Sequence, residues 1–442
     1  MSPAQTVNPL LSFFEKRFAI LTLVVFTGVL NFASYYNVSE GVPGYGFYVS
    51  SSFDRLVSLL QYGIYATTLF FIVARFKSVV RPALRDPFLL VLIGIIVTSF
   101  FWSDFPSISR KAGIFALTTT LFGLYLASRF SLKEQLRIIA WALGIVAVFS
   151  LLYTLGLRGS GIENGTHSGA WRGPLLHKNL FARLMLVCAF PPLLAALDLR
   201  NKYRYLVFGV AGLAIALIIL STSKTALVIF LTLILLLPLY RALRWSDNLA
   251  IPFFITAILV GGSMATFTVA SWDNLLFSLG KDPTLSGRTE IWEAVMHKIW
   301  ERPWLGYGYQ AFWIEGGESD YVWRVLRYRV YQAHNGFYNI GVEIGLLGAL
   351  FFVLSVAFAY IRAIKYVRTS TTSESLWPLI YLTFLPMYNY TESTIVEPNS
   401  IYWVLFVSIT FSLRNVQGVK VRKESERLSE KIVSQTGIES FP

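Results

Sequence analysis

Apolar runs of membrane-spanning length recur along the chain, separated by short polar breaks. They predict about twelve transmembrane helices, near residues 17–33, 54–75, 88–101, 110–128, 137–157, 178–197, 203–220, 222–240, 249–270, 336–361, 375–391 and 399–413. None of the runs has the alternation of a strand, so in lipid the backbone is satisfied only as helices. The expected fold is an all-α polytopic membrane protein. One long polar segment interrupts the pattern and divides the chain into four parts. Residues 1–270 are an N-terminal bundle of nine spans, 271–335 a long loop with short helices, 336–413 the last three spans, and 414–442 a polar tail.

Composition agrees with the pattern. A mean hydropathy of +0.56, with 55% hydrophobic and 14% charged residues, lies outside the range of soluble domains. The single cysteine, Cys188, falls inside a span, which excludes disulfides and cysteine-based zinc sites. Phe18 to Phe32 resembles a secretory signal core, but no small-x-small site follows, so it reads as the first span.

Charge sets the orientation. With both termini cytoplasmic, the inner segments hold 23 of the 38 Lys and Arg residues against 10 of the 25 Asp and Glu. The outer segments are then neutral, and the whole net charge of +13 lies inside. The basic excess is spread over short turns beside the membrane, which removes a nucleic-acid reading. The long loop faces outward, toward a periplasm or its equivalent. Two other outer loops stand out: 31–54, rich in Gly and Tyr, and 158–179, rich in Gly and carrying His167 and His177.

Candidate chemistry gathers on that outer side. Trp102 to Pro106 reads as an interfacial tryptophan and a proline turn, with Arg110 and Lys111 as candidate phosphate contacts. Arg172, His177, Lys178 and Asn179 run straight into the sixth span, where cations oppose the positive end of a helix dipole. Such a terminus favours anions instead. Arg183 sits one turn inside the span, where a charge is costly and usually faces a cavity. These residues suit a pyrophosphate; the alternative is snorkelling to the interface. Ser221 to Thr225 is a hydroxyl-rich turn whose Lys224 is either a phosphate contact or part of a plain turn.

In the long loop, Ser286 and Gly287 precede a pattern that predicts an amphipathic helix over 288–300, with Arg288 in its first turn and Pro303 ending it. Gly306 and Gly308 allow close backbone approach to a ligand. The tryptophans of the loop read mainly as interface anchors. Glu315, Glu318 and Asp320 read as partners of Arg324, Arg327 and Arg329 in solvated ion pairs rather than as a divalent-ion site. His334 precedes the tenth span, along which Asn335, Asn339 and Glu343 repeat every four residues as one polar stripe. Polar lines in spans face a wet interior, and a histidine above one is placed to take a proton from a hydroxyl.

At these residues the chain resembles the O-antigen ligase and exopolysaccharide polymerase family of bacterial envelope enzymes. The likeness rests on Trp171, Arg172 and Gly173 with His177 to Asn179, on Ser286 to Trp292, on Pro303 to Gly308, and on His334 and Asn335 with Glu343 to Gly348. It covers about 102–399, and the first of these elements looks most like the exopolysaccharide production branch. The resemblance implies a GT-C-type membrane glycosyltransferase, with no metal or other cofactor. Its implied reaction is an inverting transfer of a glycan from an undecaprenyl diphosphate carrier to an acceptor hydroxyl. Carried over by position, Arg172 and Arg288 hold the diphosphate and His334 is the general base. Relatives often carry arginine where Lys224 stands here, and a lysine keeps the charge but loses the bidentate fork.

The implied partners are a lipid-linked oligosaccharide donor, a glycan or lipid acceptor, membrane lipids and other polysaccharide export components, with no nucleic acid. The implied location is the bacterial cytoplasmic membrane. Within the family, polymerising repeat units competes with ligation to lipid A core or to a protein. A transporter of lipid-linked sugars is a reading of another class. It predicts internal repeats and broken helices at mid-membrane, and no repeat is visible.

Overall fold

The computed structural model describes residues 9–31, 52–164, 167–198, 203–246, 248–249, 253 and 288–413. Most of the ninth expected span, the loop from 271 to 287 with Ser286 and Gly287, most of the 31–54 loop and the polar tail lie outside the described residues. Fourteen of the described helices have eight residues or more. In order they are α1 (Pro9–Phe26), α2 (Ser52–Ala74), α3 (Phe76–Ala83), α4 (Pro87–Thr98), α5 (Pro106–Arg129), α6 (Leu132–Gly156), α7 (Lys178–Asp198), α8 (Tyr203–Leu220), α9 (Lys224–Ala242), α10 (Arg288–Glu301), α11 (Ser319–Leu326), α12 (Gly336–Thr369), α13 (Trp377–Asn389) and α14 (Ile401–Ser412).

Among the described residues, seven helices are long and apolar enough to cross a membrane, or eight if the bent pair α3–α4 is one span. The chain is a multi-pass membrane protein. Helices α13 and α14 have 13 and 12 residues, about 20 and 18 Å, too short to cross a hydrocarbon core of about 30 Å alone. Their burial compensates: α14 packs on α5 and its aromatic residues are enclosed by the bundle. At the centre lies α7, 83% buried over its apolar window, whereas α8 and α2 are 22% and 28% buried and turn most of their surface outward.

Residues 288–335 form a cap over one end of the bundle. They have a small core of their own, in which Val295, Ile299, Tyr307, Phe312 and Val322 are buried together. The cap is stitched to the turn before α5. Trp102 Nε1 donates to the Leu305 carbonyl at 2.9 Å, Arg302 pairs with Asp104 at 2.7 Å, and Ser109 Oγ donates to the Tyr309 carbonyl at 2.9 Å.

The cap also enters α12. That helix is broken at Ile344 and Gly345, where Gly345 has φ +72°. The N–H groups of Tyr307 and Gly308 donate to the carbonyls of Val342 and Glu343, each at 2.8 Å, and Leu346 N–H returns to the Pro303 carbonyl at 2.7 Å. Gly306 and Gly308 were expected to let a ligand approach; here the backbone they admit is that of Ser103 and of α12. A Cβ on Gly306 or Gly345 would collide with main-chain atoms across this joint.

The opposite end is held by buried ion pairs. Asp86 caps α4 through Leu89 N–H at 2.9 Å and meets Arg362 of α12 at 3.0 Å. Glu15 of α1 takes both Arg75 and Arg129.

Candidate active site

The turn from 390 to 400, between α13 and α14, organises the site. No Lys or Arg occurs anywhere from 369 to 413, yet this turn carries Glu392 and Glu397. Glu392 is 7% exposed, so its charge requires cations from elsewhere in the chain.

Two arginines supply them, and an imidazole stands beside the carboxylate as a further partner. Arg288, at the start of α10, places one guanidinium nitrogen 3.3 Å from Glu392 and the other on the Thr391 carbonyl. His334 Nδ1 lies 3.5 Å from the second Glu392 oxygen. Arg183, 6% exposed on α7, adds its field from below. Burial pushes the Glu392 carboxyl upward, but His334, Arg288 and Arg183 together outweigh it and hold the group below its usual carboxylate value.

His334 is fixed by its surroundings. Its backbone is left-handed, with φ +49°, a costly conformation for a residue with a side chain. On one side Trp292 Nε1 donates to the Ala333 carbonyl at 2.9 Å and the indole stacks on Tyr338. On the other, Gly336 N–H donates to the Glu392 carbonyl at 3.0 Å. Gly336 abuts the Asn389 carboxamide with no room for a Cβ. With Nδ1 turned to Glu392, Nε2 is the ring nitrogen left to meet a substrate, and the ring is 34% exposed.

The second wall comes from the 158–178 loop and the top of α7. Tyr388 OH donates to the Asn179 carbonyl at 2.9 Å, tying this wall to the Glu392 turn. The Asn179 side chain accepts from Ser223 Oγ at 3.0 Å, and Lys178 Nζ reaches Thr222 Oγ at 3.3 Å, which brings the turn before Lys224 alongside. Glu163 accepts the Lys178 backbone N–H and lies 3.7 Å from His177 Nε2. Burial pushes the His177 imidazole below its usual value despite the nearby carboxylates Glu163 and Glu392.

Arg183 lies between aromatic faces, 4.4 Å from the Tyr402 ring centre and 5.7 Å from that of Tyr388. Its Nε is buried without a hydrogen-bond partner among the described residues, as is Nε of Arg172. Arg172 donates to the Leu176 carbonyl of its own loop at 3.1 Å.

The expected residues therefore divide. His334, Arg288 and Arg183 converge on Glu392, with His177 within its field. Lys178, Asn179 and the Lys224 turn form the adjoining wall. Two members of the expected stripe have other partners. Asn335 caps α12, accepting from Phe337 N–H at 2.9 Å, and Asn339 accepts from Ala333 N–H and Trp313 Nε1. Glu343 is buried at the break in α12, against the Gln310 backbone N–H. Of the loop acids, Glu315 pairs with Arg329 at 2.6 Å, but Glu318 pairs with Lys298 at 2.6 Å instead of an arginine. No group of three or more His, Cys, Asp or Glu residues is placed to hold a metal ion among the described residues.

Sequence reading passed over Glu392 altogether. The available signal was a pair of acids in the middle of a 45-residue stretch that has no cation of its own.

Comparison with known proteins bears on this arrangement. Residues 209–353 match the family model described as O-Antigen ligase. The comparisons support the O-antigen ligase and exopolysaccharide family. The match includes Lys224, Arg288, His334, Asn335 and Glu343, and it ends before Glu392. The chain is 28% identical over 281 residues to "Exopolysaccharide production protein ExoQ" of Rhizobium meliloti (strain 1021), covering 60% of this chain and 62% of that protein. It is 29% identical over 134 residues to "Putative polysaccharide ligase RP358" of Rickettsia prowazekii (strain Madrid E), covering 29% and 31%. The chain thus spans less than two thirds of the length of each relative.

Proposed function

We propose that this protein transfers a glycan from an undecaprenyl diphosphate carrier to an acceptor hydroxyl at the outer face of a bacterial cytoplasmic membrane, polymerising exopolysaccharide repeat units. The observation that carries the reading is the convergence of His334, Arg288 and Arg183 on one buried carboxylate.

Each group has a chemical task in it. Glu392 holds the proton of His334 on Nδ1, leaving Nε2 to take the acceptor proton. The acceptor oxygen attacks the anomeric carbon as the bond to the diphosphate breaks, and one in-line displacement inverts that carbon. The diphosphate departs with both electrons of the broken bond. Arg288 and Arg183, with Arg172 and Lys178 from the second wall, meet its growing charge. This supply of fixed cations supports a transfer that needs no metal ion, and the unpartnered Nε atoms of Arg183 and Arg172 support anion binding.

A ladder of products from a lipid-linked repeat incubated with purified protein is the expected result. His334→Ala and Arg288→Ala abolish polymer in cells at unchanged protein level. Full polymer from either variant sinks the assignment. Ligation to a second acceptor is the alternative, favoured by the likeness to a relative named as a putative polysaccharide ligase. A single addition to an added acceptor, without a ladder, selects it.

A further inference from the structure

The cap also carries a cleft of about 1030 Å³, lined by eleven residues between Glu315 and Arg329, by Lys298 of α10 and by Asp104 and Phe105 beside α5. None of its lining residues belongs to the Glu392 cluster. Its chemistry differs too. Four acids, Asp104, Glu315, Glu318 and Asp320, face four cations, Lys298, Arg324, Arg327 and Arg329, so the lining has no net charge. A diphosphate gains nothing in such a field, whereas a polyol finds donors and acceptors side by side.

Those donors and acceptors are already oriented. Glu315 holds Arg329 at 2.6 Å, Glu318 holds Lys298 at 2.6 Å, and Asp320 accepts the Gly316 N–H at 3.3 Å. Aromatic rings lie among them. Arg329 sits over Trp323 at 5.3 Å, Lys298 over Tyr321 at 5.1 Å, and Tyr328 is 46% exposed at the rim. Sugar rings present an apolar C–H face and a polar hydroxyl edge, and a lining of tyrosines between paired charges matches both. The cleft is rigid where cap and bundle meet, since Arg302 pairs with Asp104 and Gly317 lies against the Phe105 ring. Little ordering is then left for binding to impose.

Its position is also constrained by the chain. Arg329 and His334 are five residues apart, so their Cα atoms are at most about 18 Å apart. The straight distance from His334 to the Arg329 edge of the cleft is thus no more than a few sugar rings.

We propose that this cleft is a glycan-binding subsite, which holds the saccharide of a substrate or product several sugars from the bond being made. The identity of the glycan rests on the proposed transferase reading. The test uses full-length protein in detergent and, as probe, oligosaccharides of one to four repeats released by partial acid hydrolysis of the host cell's own surface polysaccharide. Calorimetry is expected to show binding to wild type and to His334→Ala alike, weakened at least tenfold by Arg327→Ala with Tyr328→Ala. Both of those side chains are exposed, so the fold tolerates their loss. In cells the double variant still makes polymer, with shorter chains. Equal binding by the double variant, loss of binding in His334→Ala, or no binding by wild type overturns the subsite. If wild type binds the probe through the cleft but forms no product from a lipid-linked repeat, the transferase reading falls and the subsite stands.

Discussion

At the scale of single residues, Glu392 is the test of the site. Glu392→Gln keeps the shape but loses the charge that orients His334 and balances Arg288 and Arg183. Transfer is expected to fall by on the order of 10²-fold or more, measured as product from a lipid-linked repeat, with no change in protein level. The same residue predicts a pH response. Its carboxyl is held below the ordinary value of 4.5. Its stabilising contribution is therefore complete above about pH 4.5 and is lost as pH falls through the lower folded value. The difference in melting temperature between wild type and Glu392→Gln is expected to hold or grow from pH 7 to 5 and to shrink below 4.5. A difference that shrinks between pH 7 and 5 contradicts the assignment. Arg183 was legible in the sequence because a charge inside an apolar span has few explanations. Glu392 was harder to see because its partners, Arg183, Arg288 and His334, lie 58 to 209 positions away, and only the fold brings them together.

At the scale of elements, α12 and the 303–308 strap make one joint. Gly306 and Gly345 have φ of +65° and +72° and are crowded by main chain, whereas Gly316, at +77°, has open space around it. Gly316→Ala should cost about 1–2 kcal/mol, the ordinary penalty of a left-handed side chain. Gly306→Ala and Gly345→Ala should each cost more, since collision adds to strain. Thermal unfolding of the three variants in one detergent checks the order. The helices themselves were readable from hydropathy: α10 begins at Arg288 and ends at Glu301, close to the expected 288–300. The break in α12 was not, because Glu343 to Gly348 reads as continuous helix until the loop that enters it is known. Gly345 and Gly348 were the residues there with a helix-breaking character of their own, and nothing in the sequence singles out the first.

At the scale of the whole molecule, the two ends of the bundle have separate tasks. The cap end holds the candidate site. The far end is closed by Arg362, 2% exposed, which also donates to the carbonyls of Arg85 and Leu413 at 3.2 and 3.1 Å. Arg362→Ala leaves Asp86 buried without its counter-charge, and a loss of about 3–5 kcal/mol is expected. The folded fraction should transfer glycan at the wild-type rate, because the change lies at the end opposite the cap. A normal melting temperature for this variant contradicts the role given to the pair. Composition made the membrane class plain, and the last run, 399–413, already reads as short for a span, but the run 375–391 hid that α13 has only 13 residues.

The break in α12 has a further consequence in solvent exchange. The carbonyls of Val342 and Glu343 are served by amides of the strap, while Leu346 and Leu347 donate back to Pro303 and Trp304. Two segments forty residues apart in sequence thus share one set of hydrogen bonds, and neither set survives without the other. Deuterium uptake at Tyr307, Gly308, Leu346 and Leu347 should accordingly rise and fall together, with one opening free energy for all four amides.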